Sequence, residues 1–273
     1  MQKKDVFVVN LKGEREPFSF QKVYQSARNV GASKEVALKI AKEIEKEVFD
    51  GMLTSQIFER VFEILLKESP HSAIKFNLKK AIAKLGPTGF PFEKFVAKIF
   101  EREGFEVKIN QIVPGVCVNY EVDFLAKKDH LLYFGECKFK KEGEGKVDLK
   151  DALVNYGRFC DLKKRRFFNS NLIYKSIIVT NAKFTIEAIK YSECFGVELL
   201  GWKYPLSRGL EYLIEKNKLY PITILPSVNH YVAKELIFQN IVLVSDVLKN
   251  NVDKIKIPLI DIDRIKKEAQ LLI

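Results

Sequence analysis

No run of eighteen apolar residues occurs anywhere in the 273-residue chain, so no segment is written to cross a membrane as a helix. The opening Met-Gln-Lys-Lys-Asp lacks the apolar stretch that a secretion signal needs, and a soluble, cytoplasmic protein is the expectation. Cysteine is scarce. Cys117, Cys137, Cys160 and Cys194 stand far apart with no Cys-x-x-Cys pairing, which argues against a structural zinc site or a disulfide framework. Each reads as a reduced thiol serving as a small hydrophobe. Repeats and low-complexity tracts are also absent, and there is no Walker-type glycine loop, so ATP hydrolysis is not expected.

What the chain does have is positive charge. The net charge is +11 and the pI is about 9.3, a balance that favours polyanionic partners such as nucleic acid. The excess is uneven: Lys138 to Lys175 holds eleven Lys/Arg against five Asp/Glu, a net +6. A basic run of this kind is ordinarily a solvated surface. This one begins at a lysine that belongs to the constellation described below. With 47% hydrophobic residues the chain can also bury a sizeable core.

The first 86 residues read as a short β element (Val6 to Val9) followed by helices, with Gly31 and Gly51 as breaks. Val36, Ile40, Ile44 and Val48 repeat every four residues and make one apolar stripe. A second runs through Ile57, Val61, Ile64 and Leu65 from a start near Thr54, and a third through Ile74, Leu78, Ile82 and Leu85. The cluster Gly86-Pro87-Thr88-Gly89 marks a domain boundary. Beyond it helices and strands alternate, which predicts an α/β unit over 87–204. Its helices fall near 92–100, 148–163 and 185–194, and its strands near 105–109, 119–126, 131–139, 177–179 and 197–200. Residues 205–273, punctuated by Pro205, Pro221, Pro226 and Pro258, form a helical C-terminal region that could be a small DNA-binding unit or could simply pack on the preceding domain.

Hydrolysing a phosphodiester calls for a cation beside the scissile phosphate, and therefore for converging carboxylates. Asp123 sits in the strand stretch Tyr120-Glu121-Val122-Asp123, and thirteen residues later comes Glu136-Cys137-Lys138. Side chains two apart on a strand share a face, so Glu136 and Lys138 point together. A turn at 127–129 can fold the strands into a hairpin that brings Asp123 beside Glu136. The lysine would orient or help deprotonate an attacking water. Glu-x-Lys also occurs at Glu106 and Glu144, yet only Glu136 sits in an apolar strand after a second acid-bearing strand, with Glu93 on a helix upstream. The competing reading is a set of cross-strand ion pairs on a wet sheet face, which accounts poorly for charge in otherwise buried-looking strands.

At these residues the sequence resembles an ATP-cone domain fused to a restriction-endonuclease-like domain of the PD-(D/E)xK superfamily, close to its Mrr-like branch. The resemblance covers roughly residues 5–225. It is carried by Leu85-Gly86-Pro87-Thr88-Gly89 through Phe92-Glu93, by Glu121-Val122-Asp123, by Glu136-Cys137-Lys138 and by Gly201-Trp202-Lys203-Tyr204-Pro205. It implies a mainly helical ATP-cone domain (1–86) ahead of an α/β nuclease core with a mixed sheet flanked by helices. Asp123 and Glu136 would be metal ligands for Mg²⁺ or Mn²⁺, with the carbonyl of Cys137 as a third, Lys138 the catalytic lysine and Glu93 an assisting acid. Tyr120 stands where relatives often have histidine. In the cone, Lys22 matches a phosphate-contacting lysine, and Val9 and Lys12 fall in the opening segment, where Asn10 and Leu11 replace the usual basic pair. ATP or dATP is the implied regulator.

The expectation is thus a metal-dependent DNA endonuclease. Lys140, Lys150, Arg158, Lys163, Lys164, Arg165 and Arg166 would grip the phosphate backbone, and a homodimer would serve cleavage of both strands. The alternative is a nucleotide-responsive DNA-binding regulator without cleavage.

Overall fold

The protein is described from a computed structural model covering residues 6–86, 88–141, 145–165, 171–249 and 258–272. The chain divides into two compact units, Met1–Lys79 and Lys80–Ile273.

In the first unit, β1 (Phe7–Val9) pairs antiparallel with β2 (Arg15–Pro17). After α1 (Phe20–Asn29) and α2 (Lys34–Glu47), β3 (Met52–Leu53) returns to lie parallel to β1, giving the order β2-β1-β3. Gly51, at φ +86°, makes the turn into β3 in a left-handed conformation that a side chain would disfavour. Helices α3 (Thr54–Glu68) and α4 (Pro70–Ala83) follow. Ser19 and Ser33 start α1 and α2 by accepting hydrogen bonds from the amides of Lys22 and Val36, which satisfies donors that a helix N-terminus leaves open. Two of the predicted stripes meet in this unit's core, where Ile40 and Ile44 pack with Val61, Ile64, Leu65 and Val8.

The compact units part at Lys79/Lys80, inside α4, rather than at the Gly86 cluster. The last turn of α4 is tied into the second unit, where the Thr223 hydroxyl donates to the carbonyl of Ala81 at 2.7 Å. A turn-rich sequence signals where a helix stops, and long-range contacts decide which unit the helix end joins.

The second unit opens with α5 (Phe90–Arg102), then β4 (Glu106–Pro114), β5 (Asn119–Lys128) and β6 (Leu131–Lys138) as an antiparallel meander. Crossovers through α6 (Leu149–Lys164) and α7 (Ile186–Phe195) add β7 (Ile173–Thr180) and β8 (Val197–Leu200) in parallel. The sheet is therefore mixed, in the order β4-β5-β6-β7-β8, with β6 joining its two halves. Helices flank it. Phe100 of α5 meets Phe124 and Tyr133 on one face, while Phe159 and Leu162 of α6 pack on Leu132 and Phe134 on the other. Gly135 lies directly under the Phe124 ring, where a Cβ would come within 2.2 Å of it. Helices α8 (Leu210–Asn217), α9 (His230–Phe238), α10 (Val244–Lys249) and α11 (Leu259–Leu272) complete this unit, so residues 205–273 belong to the same compact body as the sheet. No helix among the described residues is long and apolar enough to cross a membrane.

Candidate active site

The β5–β6 ladder runs from Lys128↔Leu131 to Phe124↔Gly135 and ends there. At the next position, where a ladder would have paired Asp123 with Glu136, the strands separate and a side chain takes over: Oδ2 of Asp123 accepts a hydrogen bond from the amide of Cys137 at 2.6 Å. This opening places Asp123 among the side chains at the end of β6. Glu136 and Lys138, two residues apart, both face α6. Nζ of Lys138 lies 2.8 Å from Oε1 of Glu136 and 3.6 Å from Oδ1 of Asp151 on α6. Arg158, two helical turns beyond Asp151, donates from Nη1 to Oε2 of Glu136 at 2.8 Å.

Glu93 joins this group electrostatically from the first turn of α5. Burial, reinforced by repulsion from Asp123, Glu121 and Glu136, pushes its carboxyl up to about 7. Burial also raises Asp123 to about 6, with Glu136 adding to the shift, while the Cys137 amide, Lys138 and Arg158 oppose it. Lys138 moves upward as well: its burial favours the neutral amine, but the hydrogen bond and charge of Glu136, with Asp151, outweigh that and hold the ammonium. Burial lifts the Cys137 thiol well above its ordinary range, and the charges of Asp123, Glu93 and Glu136 add to that. A thiol so held stays protonated and is a poor metal ligand, which leaves the carbonyl of Cys137 as the atom it can offer.

Asp123, Glu136 and the Cys137 carbonyl offer oxygen donors, the type that hard divalent ions take. Among the described residues no group of three or more His, Cys, Asp or Glu side chains makes a ready metal cage. Mg²⁺ does not require one, because it binds through one or two carboxylates, keeps several waters and takes further oxygens from phosphate. Acids raised by burial, with one another's charge adding to the shift, are in the same terms a demand for positive charge. At present Lys138 and Arg158 meet that demand, one on each oxygen of Glu136.

The residues expected to contact DNA do not form one patch. Lys150 lies in the first turn of α6, whereas Lys163, Lys164 and Arg165 lie at its other end, about 20 Å away at the helical rise. Lys163 sits over the Phe159 ring, and Arg165 donates to the carbonyl of Gly115 at 2.8 Å. Lys140 is partly buried, with its backbone clamped by Asn181 on both sides: its amide donates to Oδ1 at 2.8 Å and its carbonyl accepts from Nδ2 at 2.7 Å. Arg158 is the clear departure, being turned into the carboxylate cluster. Arg166 lies outside the described residues. Sequence reasoning missed Asp151 and the inward role of Arg158. Their signal was the polar stripe Asp151, Asn155, Arg158 on one side of α6, spaced i, i+4, i+7.

In the first unit Val9 closes β1 against Arg15 of β2, Lys12 sits exposed in the following turn, and Lys22 pairs with Glu16 at 3.0 Å. A groove of about 300 Å³ lined by Phe20, Gln21, Tyr24, Lys34, Glu35 and Leu38 lies between α1 and α2 and takes in none of the three.

Several known proteins are similar to this chain. Residues 220–273 match the protein family described as AF1548-like, C-terminal. An uncharacterized protein of Archaeoglobus fulgidus is 40% identical over 161 residues, which is 59% of this chain and 88% of that one. The crystal structure of AF1548, a protein of unknown function, superposes with a TM-score of 0.59 at 36% identity, covering 67% of this chain and 97% of that one. A repair endonuclease from Pyrococcus abyssi overlaps with a TM-score of only 0.29 at 23% identity, over 38% of this chain and 41% of that one, too little to speak for a shared activity. Identity and coverage with the Archaeoglobus protein and with AF1548 are high enough to fix descent, and the chain belongs to the AF1548-like family.

Proposed function

We propose that this protein is a metal-dependent DNA endonuclease that hydrolyses phosphodiester bonds, with Asp123, Glu136 and Lys138 as its working residues. The observation that carries the reading is the opened end of the β5–β6 ladder, where two carboxylates from neighbouring strands meet an ammonium group and a third acid, Glu93. Burial, with neighbouring acids adding to it, holds Asp123 near 6 and Glu93 near 7. Perturbed acids beside a basic side chain mark a candidate site for chemistry.

Asp123, Glu136 and the Cys137 carbonyl would hold Mg²⁺ or Mn²⁺, which when bound supplies charge stabilisation at the scissile phosphate and lowers the pKa of water. Lys138, kept charged by Glu136 and Asp151, orients the attacking water and offsets charge on the phosphate. Glu93, poised near neutrality, is suited to accept a proton from that water. The net +11 charge favours DNA as the polyanionic partner. The first unit, in this proposal, binds ATP or dATP and biases the nuclease through different affinities in its active and inactive states.

One observation favours the second reading, a DNA-binding regulator without cleavage: both oxygens of Glu136 are engaged by cations. Incubating supercoiled plasmid with the full chain and Mg²⁺ or Mn²⁺ separates the two. Nicking that falls by at least about 100-fold in Asp123→Asn and in Lys138→Ala supports the enzyme. Intact plasmid under every metal and nucleotide condition supports the regulator. The Asp123→Asn side chain keeps an oxygen to accept from the Cys137 amide, so loss of nicking in that variant is not a loss of fold.

A further inference from the structure

A cavity of about 380 Å³ lies in the second unit apart from the carboxylate cluster, and none of Glu93, Asp123, Glu136 or Lys138 lines it. It is bounded by the end of α5, by β6, β7 and β8, by the last turn of α7 and by the segment leading into α8. One wall is aromatic. The rings of Phe100, Phe105 and Tyr133 all touch one another, with centroids 5.5, 5.8 and 6.1 Å apart. Leu199 and Leu213 add apolar surface. A space of this size, mostly apolar and with a few polar groups converging on it, is what a small organic ligand needs.

The polar groups of the lining are acceptors in the main. Its one guanidinium, Arg208, is engaged by Glu103, which also meets Lys216 and the amide of Asn217. The Tyr133 hydroxyl donates to Oε2 of Glu198 at 2.7 Å, and Lys175 holds the other oxygen of that acid at 2.6 Å. The Tyr204 hydroxyl donates to Oε1 of Glu193 at 3.3 Å, and among the described residues Glu193 has no cation beside it. Each phenol thus spends its proton on a carboxylate and keeps a lone pair to offer. Ser192, next to Glu193 on α7, also lines the cavity. It is 1% exposed, and among the described residues its Oγ has no hydrogen-bond partner. A buried hydroxyl left in this state costs stability unless something else satisfies it. Lone pairs, an unbalanced carboxylate and the negative faces of aromatic rings all attract a positive N–H group. An anion entering here would face Glu193 and Glu198.

We propose that this cavity binds a small organic ammonium ion with a flat apolar body, its N–H groups received by Glu193 and Ser192 and its body packed on the rings of Phe100, Phe105 and Tyr133. The proposal is independent of the nuclease reading. The net charge of +11 works against it in general, so a cation preferred over an anion is held by these local groups. Three probes share one ring and side chain and differ only in charge: phenethylamine is a cation, phenethyl alcohol is neutral and phenylacetate is an anion. Titration calorimetry on the full chain is expected to show saturable one-to-one binding of phenethylamine, binding of the alcohol at least about tenfold weaker, as loss of a charged hydrogen bond implies, and none of phenylacetate. Glu193→Gln keeps an oxygen for the Tyr204 hydroxyl, and the residue is exposed, so the fold should stand. That variant should lose at least about tenfold in phenethylamine affinity while its affinity for the alcohol stays as in the parent chain. Ser192→Ala should melt no lower than the parent, because it removes an unsatisfied buried hydroxyl, and yet bind phenethylamine more weakly. The proposal is overturned if phenethylamine does not saturate the chain, if the three probes bind alike, or if Glu193→Gln binds the cation as the parent does.

Discussion

Arg158 holds Oε2 of Glu136 at 2.8 Å and thereby occupies an oxygen that a divalent ion would need. The guanidinium comes from α6 and the carboxylate from β6, so the pair also ties the helix to the C-terminal end of the strand. A charged hydrogen bond of this kind contributes about 1.5–3 kcal/mol, and an ion binding Glu136 has to displace it. Arg158→Ala is therefore expected to bind Mn²⁺ about tenfold more tightly than the parent chain in titration calorimetry without DNA. Equal or weaker binding would mean that Glu136 is not a metal ligand.

Acidity gives a second expectation. Asp123 and Glu93 are held near 6 and 7, above the unfolded values of about 4, so the folded chain binds their protons more tightly than the unfolded chain does. Their contribution to stability is complete below about pH 4 and is lost as pH rises through 6 and then 7. The double variant Asp123→Asn/Glu93→Gln removes that loss. In metal-free buffer its urea midpoint, compared with that of the parent chain, should improve from about pH 4 to about pH 7 and then level off. A difference that stays flat would show that the two acids do not titrate in that window.

Gly135 tests the packing behind the site. A Cβ there would lie 2.2 Å from the Phe124 ring, so Gly135→Ala has to push the ring or bend β6. Overpacking of this kind costs about 1–3 kcal/mol, and the melting temperature should fall by several degrees. An unchanged melting temperature would mean that the ring has room to swing aside.

For the first unit, ATP or dATP should raise the melting temperature in a concentration-dependent way, as any ligand of the folded state does. Lys22→Ala should remove that rise. The Lys22–Glu16 pair is solvent-exposed, so losing it costs little stability on its own. A thermal shift that survives the substitution would move the nucleotide away from Lys22, with the Phe20/Lys34 groove as the next place to look.

Much of the second unit was legible because its signals are local. The succession of helices and strands, the apolar run of β6 and the apolar stripe of α5 put α5, β5 and β6 within a few residues of their observed limits. Asp123 and Glu136 drew attention as acids in apolar strands, and the structure brings both to the end of β6. Other features were not written locally. β2 and β3, three and two residues long, are too short to show a period. The affiliation of the α4 end depends on Thr223, far away in sequence. Arg158 looked like a surface cation because charge reveals nothing about direction, and only the packing of α6 against the sheet turns it inward.

The Cys137 amide has a consequence of its own. Most amides of β6 are shielded by the sheet, and their protons reach solvent only when strands part. The proton on Cys137 is kept by a carboxylate instead. Its deuterium uptake will follow whatever happens to Asp123, quickening when that acid is neutralised and changing again when a cation draws the carboxylate away. One backbone position thus works as a built-in gauge of the charge held at the mouth of the sheet.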